Sequence, residues 1–192
     1  MFYTQLKTAI LILFIFTVIT GVLYPFFVTG IAQVFFYKQA NGSIIYRAEE
    51  PIGSSLIGQA FDDPKYLWGR LSATSPFSFN AAASSGSNLG PSNPVLIEAV
   101  KARTKALKTF NRNNENSIPI DLVTASASGL DPHISLASAY YQISRIAKKR
   151  GISESVVKNI IRKNVTGRLF GLLGEPVVNV LKVNLDLDSY EK

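Results

Sequence analysis

An uncharged run near the N-terminus limits what this chain can fold into more than any other feature of its sequence. No charged side chain occurs in the 30 residues from Thr8 to Tyr37, and Lys7 and Lys38 bracket the run. As an α-helix it would be about 45 Å long, whereas the hydrocarbon core of a bilayer is about 30 Å thick. We therefore predict a transmembrane anchor at residues 8–37, preceded by a short tail at residues 1–7.

A proline lies inside the predicted anchor. Pro25 has no backbone N–H, and its ring crowds the carbonyl group four residues earlier in a regular helix. The residue before a proline also disfavours the helical conformation. We expect either a kink near Pro25 or an end of the regular helix at Tyr24.

The same run has features of a cleavable signal peptide. Gly30-Ile31-Ala32 before Gln33 matches the small-x-small pattern of a cleavage site. The apolar region of a signal peptide is usually 7–15 residues long, whereas about 22 uncharged residues precede Gly30 here. We therefore predict an uncleaved anchor, and a mature chain that begins at Gln33 would overturn this prediction.

The charges that flank the run predict its orientation. The tail carries Lys7 and the α-amino group as cations and has no acidic residue. Short positively charged flanks stay on the cytoplasmic side, whereas long domains are translocated largely regardless of charge. We expect a cytoplasmic N-terminus and an extracytoplasmic domain at residues 38–192.

The residues after the anchor are sufficient for one domain with a core of its own. The whole chain has a formal net charge of +7, and an excess of cations can indicate nucleic acid or anionic lipid as a partner. However, the sequence has no basic repeat interleaved with aromatic residues and no groove-binding motif. We expect no nucleic-acid partner and interpret the charge as a solvated face or a contact with an acidic subunit.

The pattern of apolar residues in the outer domain mixes strands and helices and predicts an α+β fold with a single mixed domain. The expected order begins with short extended pieces within residues 43–61, at Ser43–Arg47 and Leu56–Ile57, and a helix from Asn93 and Pro94. A buried strand at Ile118–Thr124, a helix from Asp131 to Gly151, a helix from Ser153 and a strand at Leu181–Asp188 follow.

Residues 72–94 form a long stretch of Ser, Ala, Asn, Gly and Pro. Loops of this length inside compact domains are uncommon and are usually functional or disordered. The helix that follows carries a basic stripe, which is either a solvated face or a docking site for acidic protein or lipid headgroups. The stripe consists of Lys101, Lys105, Lys108 and Arg112.

Two groups of residues are candidates for catalysis. His133, the only histidine, is near Asp131 and Ser135, but all three fall where a helix cap is expected. Ser155-Val156-Val157-Lys158 matches the S-x-x-K element of serine–lysine hydrolases, and Ser78-Phe79-Asn80 resembles their S-x-N element. The K-T-G element is missing and the order is reversed. Because the motif set is incomplete, we treat an exported, membrane-anchored serine–lysine hydrolase only as the alternative function.

Several short strings of residues, each modestly specific alone, follow one another in a fixed order. They are Tyr24-Pro25, Gly30-Ile31-Ala32-Gln33, Gln39-Ala40-Asn41-Gly42-Ser43, Gly53-Ser54-Ser55-Leu56-Ile57-Gly58-Gln59, Gly69-Arg70-Leu71-Ser72-Ala73, SGSNLGPSNP at 85–94, DLVTASASGLDPH at 121–133, GEPVVNV at 174–180 and Asn184-Leu185. Together they closely resemble the KdpC family, the small subunit of the Kdp potassium-transporting P-type ATPase. Many members have Pro where Leu71 stands and a second Gly where Ser85 stands.

The resemblance implies a complex in the bacterial inner membrane with three other subunits. They are KdpA, which selects potassium; KdpB, which is phosphorylated by ATP; and the small KdpF. The family is described as a catalytic chaperone that raises the ATP affinity of KdpB. This chain has neither a D-K-T-G phosphorylation motif nor a T-V-G-Y-G-like filter. It is thus expected to be an accessory subunit, not an enzyme, with no firmly bound cofactor, while the partner subunit handles potassium.

The predicted topology places the outer domain away from cytoplasmic ATP, and no phosphate-binding loop is present. We therefore expect any effect on ATP to be a coupling between distant sites rather than direct contact. The resemblance and the long loop give a set of candidate interface residues. They are Tyr24, Pro25 and Gln33 in the anchor, and Ser85, Gly86, Ser87, Asn88 and Asn93 in the loop.

Overall fold

The computed structural model describes residues 2–111 and 114–190. The chain divides into two compact units, Met1–Ile44 and Ile45–Lys192. The first unit is almost entirely helical, and the second combines helices with two small sheets. This architecture confirms the expected α+β class, with one apolar N-terminal helix before a mixed domain.

A continuous helix of 34 residues, Phe2–Phe35, forms most of the first unit. It consists of α1 (Phe2–Val18), a π-helical turn (Ile19–Leu23) and α2 (Tyr24–Phe35), and a short helix α3 (Tyr37–Ala40) follows. It is long and apolar enough to cross a membrane, and its most apolar window is 0% buried. The helix begins at Phe2 and therefore includes most of the predicted tail.

The π-helical turn explains how the helix tolerates Pro25. The Tyr24 N–H donates to the carbonyl oxygen of Ile19, five residues earlier, instead of four. The wider turn makes room near the Gly21 carbonyl, which the proline ring would crowd in a regular helix. The expected irregularity is therefore present, but the helix continues to Phe35, so an end at Tyr24 is wrong.

Two small sheets provide the strands of the outer domain. A hairpin pairs β1 (Ile44–Arg47) with β2 (Glu50–Ser54). The extended piece that we predicted at Leu56–Ile57 lies in a turn instead. The other sheet is antiparallel, with strand order β3-β5-β4, and it contains β3 (His133–Ser135), β4 (Val165–Thr166) and β5 (Val177–Asn179).

The outer domain also contains helices, and several of their ends follow from the sequence. Asn93 caps α4, since its Oδ1 accepts from the Val95 N–H at 2.9 Å, and Pro94 occupies the first position. Gly151 closes α6 in the left-handed conformation at φ 67°. The helices are α4 (Pro94–Phe110), α5 (Leu136–Tyr141), α6 (Ile143–Arg150), α7 (Glu154–Lys163) and α8 (Val180–Tyr190).

The strand predicted at Leu181–Asp188 is wrong, because this segment is helix α8. Val183, Asn184 and Leu187 are all buried, and their spacing of one and four residues puts them on one helical face. The polar side chain of Asn184 points inward, whereas the alternating pattern had assigned it to solvent. The signal for a strand thus came from treating every polar residue as exposed.

The strand predicted at Ile118–Thr124 is also wrong. The segment contains a 3-10 turn at Ile120–Leu122, which begins after Pro119. Ile120 is 75% exposed, whereas the adjacent Leu122 and Val123 are both buried. Adjacent buried residues do not fit the alternation of a strand with one buried face.

The helix predicted from Asp131 begins later and is divided. Residues 133–135 form β3, and α5 begins at Leu136 with Ser135 as its cap, whose Oγ accepts from the Ser138 N–H at 3.1 Å. Asp131 instead accepts from the His133 N–H at 2.9 Å, two residues ahead. Gln142 separates α5 from α6.

Two clusters of buried side chains form the core, and an irregular segment, residues 64–69, contributes to both. Leu67 packs with Ile134, Val178 and Leu187 in one cluster. Its neighbour Trp68 packs with Leu107 and others in the second cluster. The segment therefore has its backbone inside the protein without belonging to a sheet.

Two buried amide side chains replace the missing strand partners. The Asn184 side chain accepts from the Leu67 N–H at 2.7 Å and donates to the Leu67 carbonyl at 3.0 Å. Gln142 accepts from the Trp68 N–H at 2.9 Å and donates to the Trp68 carbonyl at 3.0 Å. Each amide thus satisfies both backbone groups of one buried residue, which would otherwise destabilise the fold.

Three arginines bind the remaining carbonyl groups of the segment. Arg145 donates to Pro64 and Tyr66, Arg150 donates to Lys65, and Arg103 donates to Gly69. The guanidinium groups of Arg145 and Arg103 also lie 4.2 and 4.9 Å from the Trp68 ring centroid. Burial first, and then the nearby Arg103, lower the pKa of Arg145 to about 9, while Asp63 opposes the shift.

Replacing Gln142 tests the importance of these side-chain bonds. Gln142→Leu should lower the free energy of unfolding by about 2–6 kcal/mol, because two buried backbone groups lose their partners at about 1–3 kcal/mol each. Denaturation of the full chain, followed by Trp68 fluorescence, measures this change. The matched control Asn159→Leu, at an exposed position, should change stability by less than about 0.5 kcal/mol. Equal stabilities of the two variants would contradict the expectation.

Candidate interaction surfaces

The anchor residues singled out from the sequence lie on an exposed helix surface. Tyr24 is 64% exposed, and Pro25 and Gln33 are also exposed. The Gln33 Oε1 accepts from the Asn41 side chain at 3.0 Å. The Thr17 and Thr20 hydroxyls each donate to the carbonyl four residues earlier, at 2.8 and 2.7 Å. This helix can therefore enter an apolar environment with these polar groups satisfied.

The long loop is irregular, as predicted, with one 3-10 turn at Ala81–Ala83. Its first part is held by its own polar side chains. The Ser72 hydroxyl donates to the Gly129 carbonyl at 2.7 Å and accepts from the Phe79 N–H at 2.8 Å. Asn80 is 8% exposed, and its side chain donates to Ser75 at 2.9 Å. The loop is thus held in one conformation by bonds across it.

Residues 126–129 support the second part of the loop. The Ser84 hydroxyl donates to the Ser128 carbonyl at 2.9 Å. A Cβ atom on Gly86 would lie 2.7 Å from the Ala127 carbonyl oxygen. A Cβ on Gly129 would lie 2.5 Å from Thr74 Cγ2, and this glycine has φ +67°. Both glycines permit an approach that a side chain would prevent.

The structure separates the loop candidates into exposed and structural residues. Ser85, Ser87 and Asn88 are exposed and adjacent along the loop. Gly86 is half-buried against residue 127, and Asn93 caps α4. That any of them contacts another subunit remains a prediction.

The serine–lysine pair has a different arrangement from a nucleophile and its base. The Ser155 and Ser153 hydroxyls share a hydrogen bond of 2.9 Å. The Lys158 ammonium lies 5.8 Å from the centroid of the Tyr140 ring. Asn80, from the S-x-N string, is a buried part of the long loop. These contacts give structural roles to the residues of both strings.

His133 and its neighbours Asp131 and Ser135 do not form a catalytic chain. His133 Nδ1 lies 3.7 Å from Asp131 Oδ1, while the Ser135 hydroxyl donates to Asp121 at 3.2 Å. Burial lowers the pKa of His133; Asp131 opposes this shift and Lys182 adds to it. Within residues 2–111 and 114–190, no three or more His, Cys, Asp or Glu side chains are grouped to hold a metal ion.

The Asp121 carboxylate holds the start of α5. Burial alone would raise the pKa of Asp121, but hydrogen bonds from Ser138 and from the backbone and hydroxyl of Ser135 together lower it. The Ser135 N–H bond is 2.8 Å long. Ser135 therefore belongs to a capping network rather than to a nucleophilic site.

The basic stripe on α4 is exposed, and a separate basic cavity lies between the end of α4 and α6. Lys101, Lys105 and Lys108 are exposed, and Arg112 lies outside the described residues. Near this stripe, a cavity of about 310 Å³ is lined by Arg145, Lys148 and Lys149 among other residues. The stripe was predicted from its spacing, whereas the basic cavity could be found only in the tertiary structure.

Sequence reasoning missed two features of this domain. It did not identify the side chains that bind the backbone of residues 64–69, although a polar Asn184 within an apolar run was a usable signal. It also missed a set of four large exposed apolar residues within 169–173. An apolar run between Arg168 and Glu175 could have indicated them.

Two glycines with the same backbone conformation provide a matched test of the loop support. Gly129 and Gly151 both have φ +67°, but only Gly129 lacks room for a Cβ. An alanine in this conformation costs about 1–2 kcal/mol. Gly129→Ala should therefore destabilise the chain more than Gly151→Ala and make residues 72–93 more sensitive to protease. Equal stability and equal proteolysis of the two variants would count against the support.

The single histidine predicts a pH dependence of stability. Because the pKa of His133 is lowered in the folded chain, the unfolded chain takes up the proton first as the pH falls below about 6.5. Stability should therefore begin to fall as the pH is lowered through about 6.5, and His133→Gln should remove part of this slope. Chemical denaturation across the range measures both slopes. Identical slopes would show that the histidine does not cause it.

The similarity to known proteins extends over nearly the whole chain. The family model described as KdpC, K+-transporting ATPase, c chain, matches residues 6–189. A relative from Methylibium petroleiphilum is 56% identical over 186 residues, which cover 97% of each chain. A relative from Herpetosiphon aurantiacus is 56% identical over 97% of this chain and 96% of its own. A relative from Methylococcus capsulatus is 54% identical over 95% of this chain and 96% of its own.

These relatives each carry the name potassium-transporting ATPase KdpC subunit. The match includes the apolar helix as well as the outer domain, because it begins at residue 6. The identity is well above the level at which a shared family is certain, and it extends over nearly the full length of both chains. The chain therefore belongs to the KdpC family, the c chain of the K+-transporting ATPase.

Proposed function

We propose that the chain is a non-catalytic subunit that assembles and stabilises the potassium-transporting ATPase and acts as a catalytic chaperone for it. Its partners in this proposal are KdpA, KdpB, KdpF and the lipid bilayer. The chain spans the bacterial inner membrane once, with its N-terminus in the cytoplasm and its α+β domain outside. Family membership and the single spanning helix support this role.

The observation that carries the proposal is the fixed conformation of the long loop. Hydrogen bonds from Ser72, Asn80 and Ser84 hold it, while Ser85 and Ser87 face solvent. A loop that is already ordered loses little conformational entropy when it docks. The loop thus has the properties of a preformed contact surface, and we assign it to the outer face of a transport subunit.

The effect on ATP in this proposal is indirect. The anchor packs against the transmembrane subunits, and the outer domain braces the external mouth of KdpA. A subunit that binds one conformation of its partners more tightly shifts their equilibrium by that difference in affinity. A higher ATP affinity of KdpB then follows as a coupling free energy between distant sites.

The alternative, an exported serine–lysine hydrolase, has weaker support. It requires the Ser155 hydroxyl to be activated by Lys158. The hydroxyl instead shares a bond with Ser153, and the ammonium lies over Tyr140. These contacts favour the accessory role.

A double substitution in the loop tests the assignment of the contact surface. Ser85→Arg with Ser87→Arg adds two bulky cations at exposed positions. It removes the long local bond of 3.5 Å from the Ser85 hydroxyl to the Gly86 carbonyl, and it leaves the bonds of Ser72, Asn80 and Ser84 in place. Recovery of partner subunits with the tagged chain, and potassium-stimulated ATPase activity, should both fall by about tenfold, equivalent to about 1.4 kcal/mol. An intact and fully active complex would refute the assignment.

The matched control for this experiment is Ser155→Ala. The accessory role predicts wild-type assembly and activity for this variant, because its hydroxyl lies outside the loop. Complete loss of activity with normal assembly would favour the hydrolase. Separately, crosslinking of a photoreactive ATP analogue to this chain from the cytoplasmic side would contradict the indirect mechanism.

A further inference from the structure

A narrow hairpin extends from the three-stranded sheet between β4 and β5. The strands pair up to Thr166 opposite Val177, and the chain then leaves the sheet. Leu169 and Leu173 exchange backbone hydrogen bonds of 2.8 and 3.0 Å. We call residues 168–175 the finger and residues 169–173 its tip.

The tip is apolar and exposed. Phe170 is 86% exposed and Leu172 is 80% exposed, followed by Leu173 at 63% and Leu169 at 60%. No residue from 169 to 174 is charged. Large apolar side chains grouped on a projecting turn mark an interaction site.

The backbone of the tip is largely satisfied from within. The N–H groups of Leu169, Gly171, Leu172 and Leu173 all donate to carbonyls of residues 168, 169 or 173. Phe170 and Gly171 have φ of 53° and 75°, which close the turn tightly. An apolar surface without water requires this internal pairing of backbone groups, whereas a protein groove can supply partners for unpaired ones.

A charged neck follows the apolar tip. The Arg168 guanidinium donates to both carboxylate oxygens of Glu175, at 2.9 Å each. Both side chains are exposed, at 45% and 76%. Polarity therefore changes along the finger from apolar at the end to charged at the base, as in segments that enter the boundary between headgroups and acyl chains.

We propose that the tip of the finger inserts into the lipid bilayer at the level of the headgroup–acyl boundary. The spanning helix in the same chain makes a bilayer available to the outer domain. The tip places Leu169, Phe170 and the two following leucines among acyl chains, and the Arg168–Glu175 pair stays at the headgroups. The finger is thus a second membrane contact, independent of the anchor and of the loop assigned above.

The chain has no cysteine, so one introduced cysteine can be labelled uniquely. Full-length Phe170→Cys is labelled with an environment-sensitive fluorophore and placed in phosphatidylcholine–phosphatidylglycerol nanodiscs, without partner subunits. We expect emission shifted to the blue, with quenching by shallow doxyl-labelled lipid about twofold or more above that of Asn159→Cys, an exposed position on α7.

A second substitution separates lipid contact from a local effect of the label. Leu172→Asp in the Phe170→Cys background should return the label to a water-like spectrum, because it puts a charge at the tip, whereas Leu172→Met should not. A label at 170 that is as accessible to aqueous iodide as the one at 159 would overturn the proposal. If the label at 170 is protected from iodide only after assembly with the transport subunits, the proposal is also overturned, because the finger then contacts protein rather than lipid.

Discussion

The backbone of residues 64–69 must find hydrogen-bond partners inside the core, and the organisation of the outer domain depends on how it does so. The segment belongs to no sheet, yet each carbonyl from Pro64 to Gly69 accepts a bond from a side chain. The donors come from α4, from α6, from the joint between α5 and α6, and from α8. This irregular segment therefore links four helices, α4, α5, α6 and α8, and the side chains of these helices fix the conformation of the segment in return.

Only two residues separate the long loop from this segment, so its first residues are held in place as well. It begins after Leu71, which forms a bridge with Ala125, and the Ser126 N–H donates to the Leu71 carbonyl at 3.0 Å. The loop therefore starts from a fixed point and folds back on residues 126–129, which the same bridge positions. Arg70 adds a second link, since it donates to Asp131 and to the Ala125 carbonyl, at 3.1 Å each. These bonds hold the start of the loop and the segment that supports it in place.

Local signals in the sequence predicted those parts of the structure that local forces decide. The long apolar N-terminal helix, the Asn93 cap and the Gly151 stop each depend on a few neighbouring residues. The cap and the stop occur as predicted, and the helix is long and apolar enough to cross a membrane. Helix α8 was mistaken for a strand because Asn184 is buried against a partner 117 residues away. The turn at Ile120–Leu122 was mistaken for a strand because tertiary packing buries the adjacent Leu122 and Val123. No periodicity contains that information. The interface candidates were located by resemblance, and the structure adds which of them have exposed side chains.

The π-helical turn at Ile19–Leu23 has a geometric consequence for the anchor. An extra residue in one turn rotates all later side chains by about 100° around the axis, relative to an uninterrupted helix. Positions in α1 and α2 that a helical wheel would align on one side are therefore offset by more than a quarter of the circumference. The apolar helix Phe2–Phe35 therefore consists of two parts, α1 and α2, whose side-chain faces are rotated relative to each other about the helix axis.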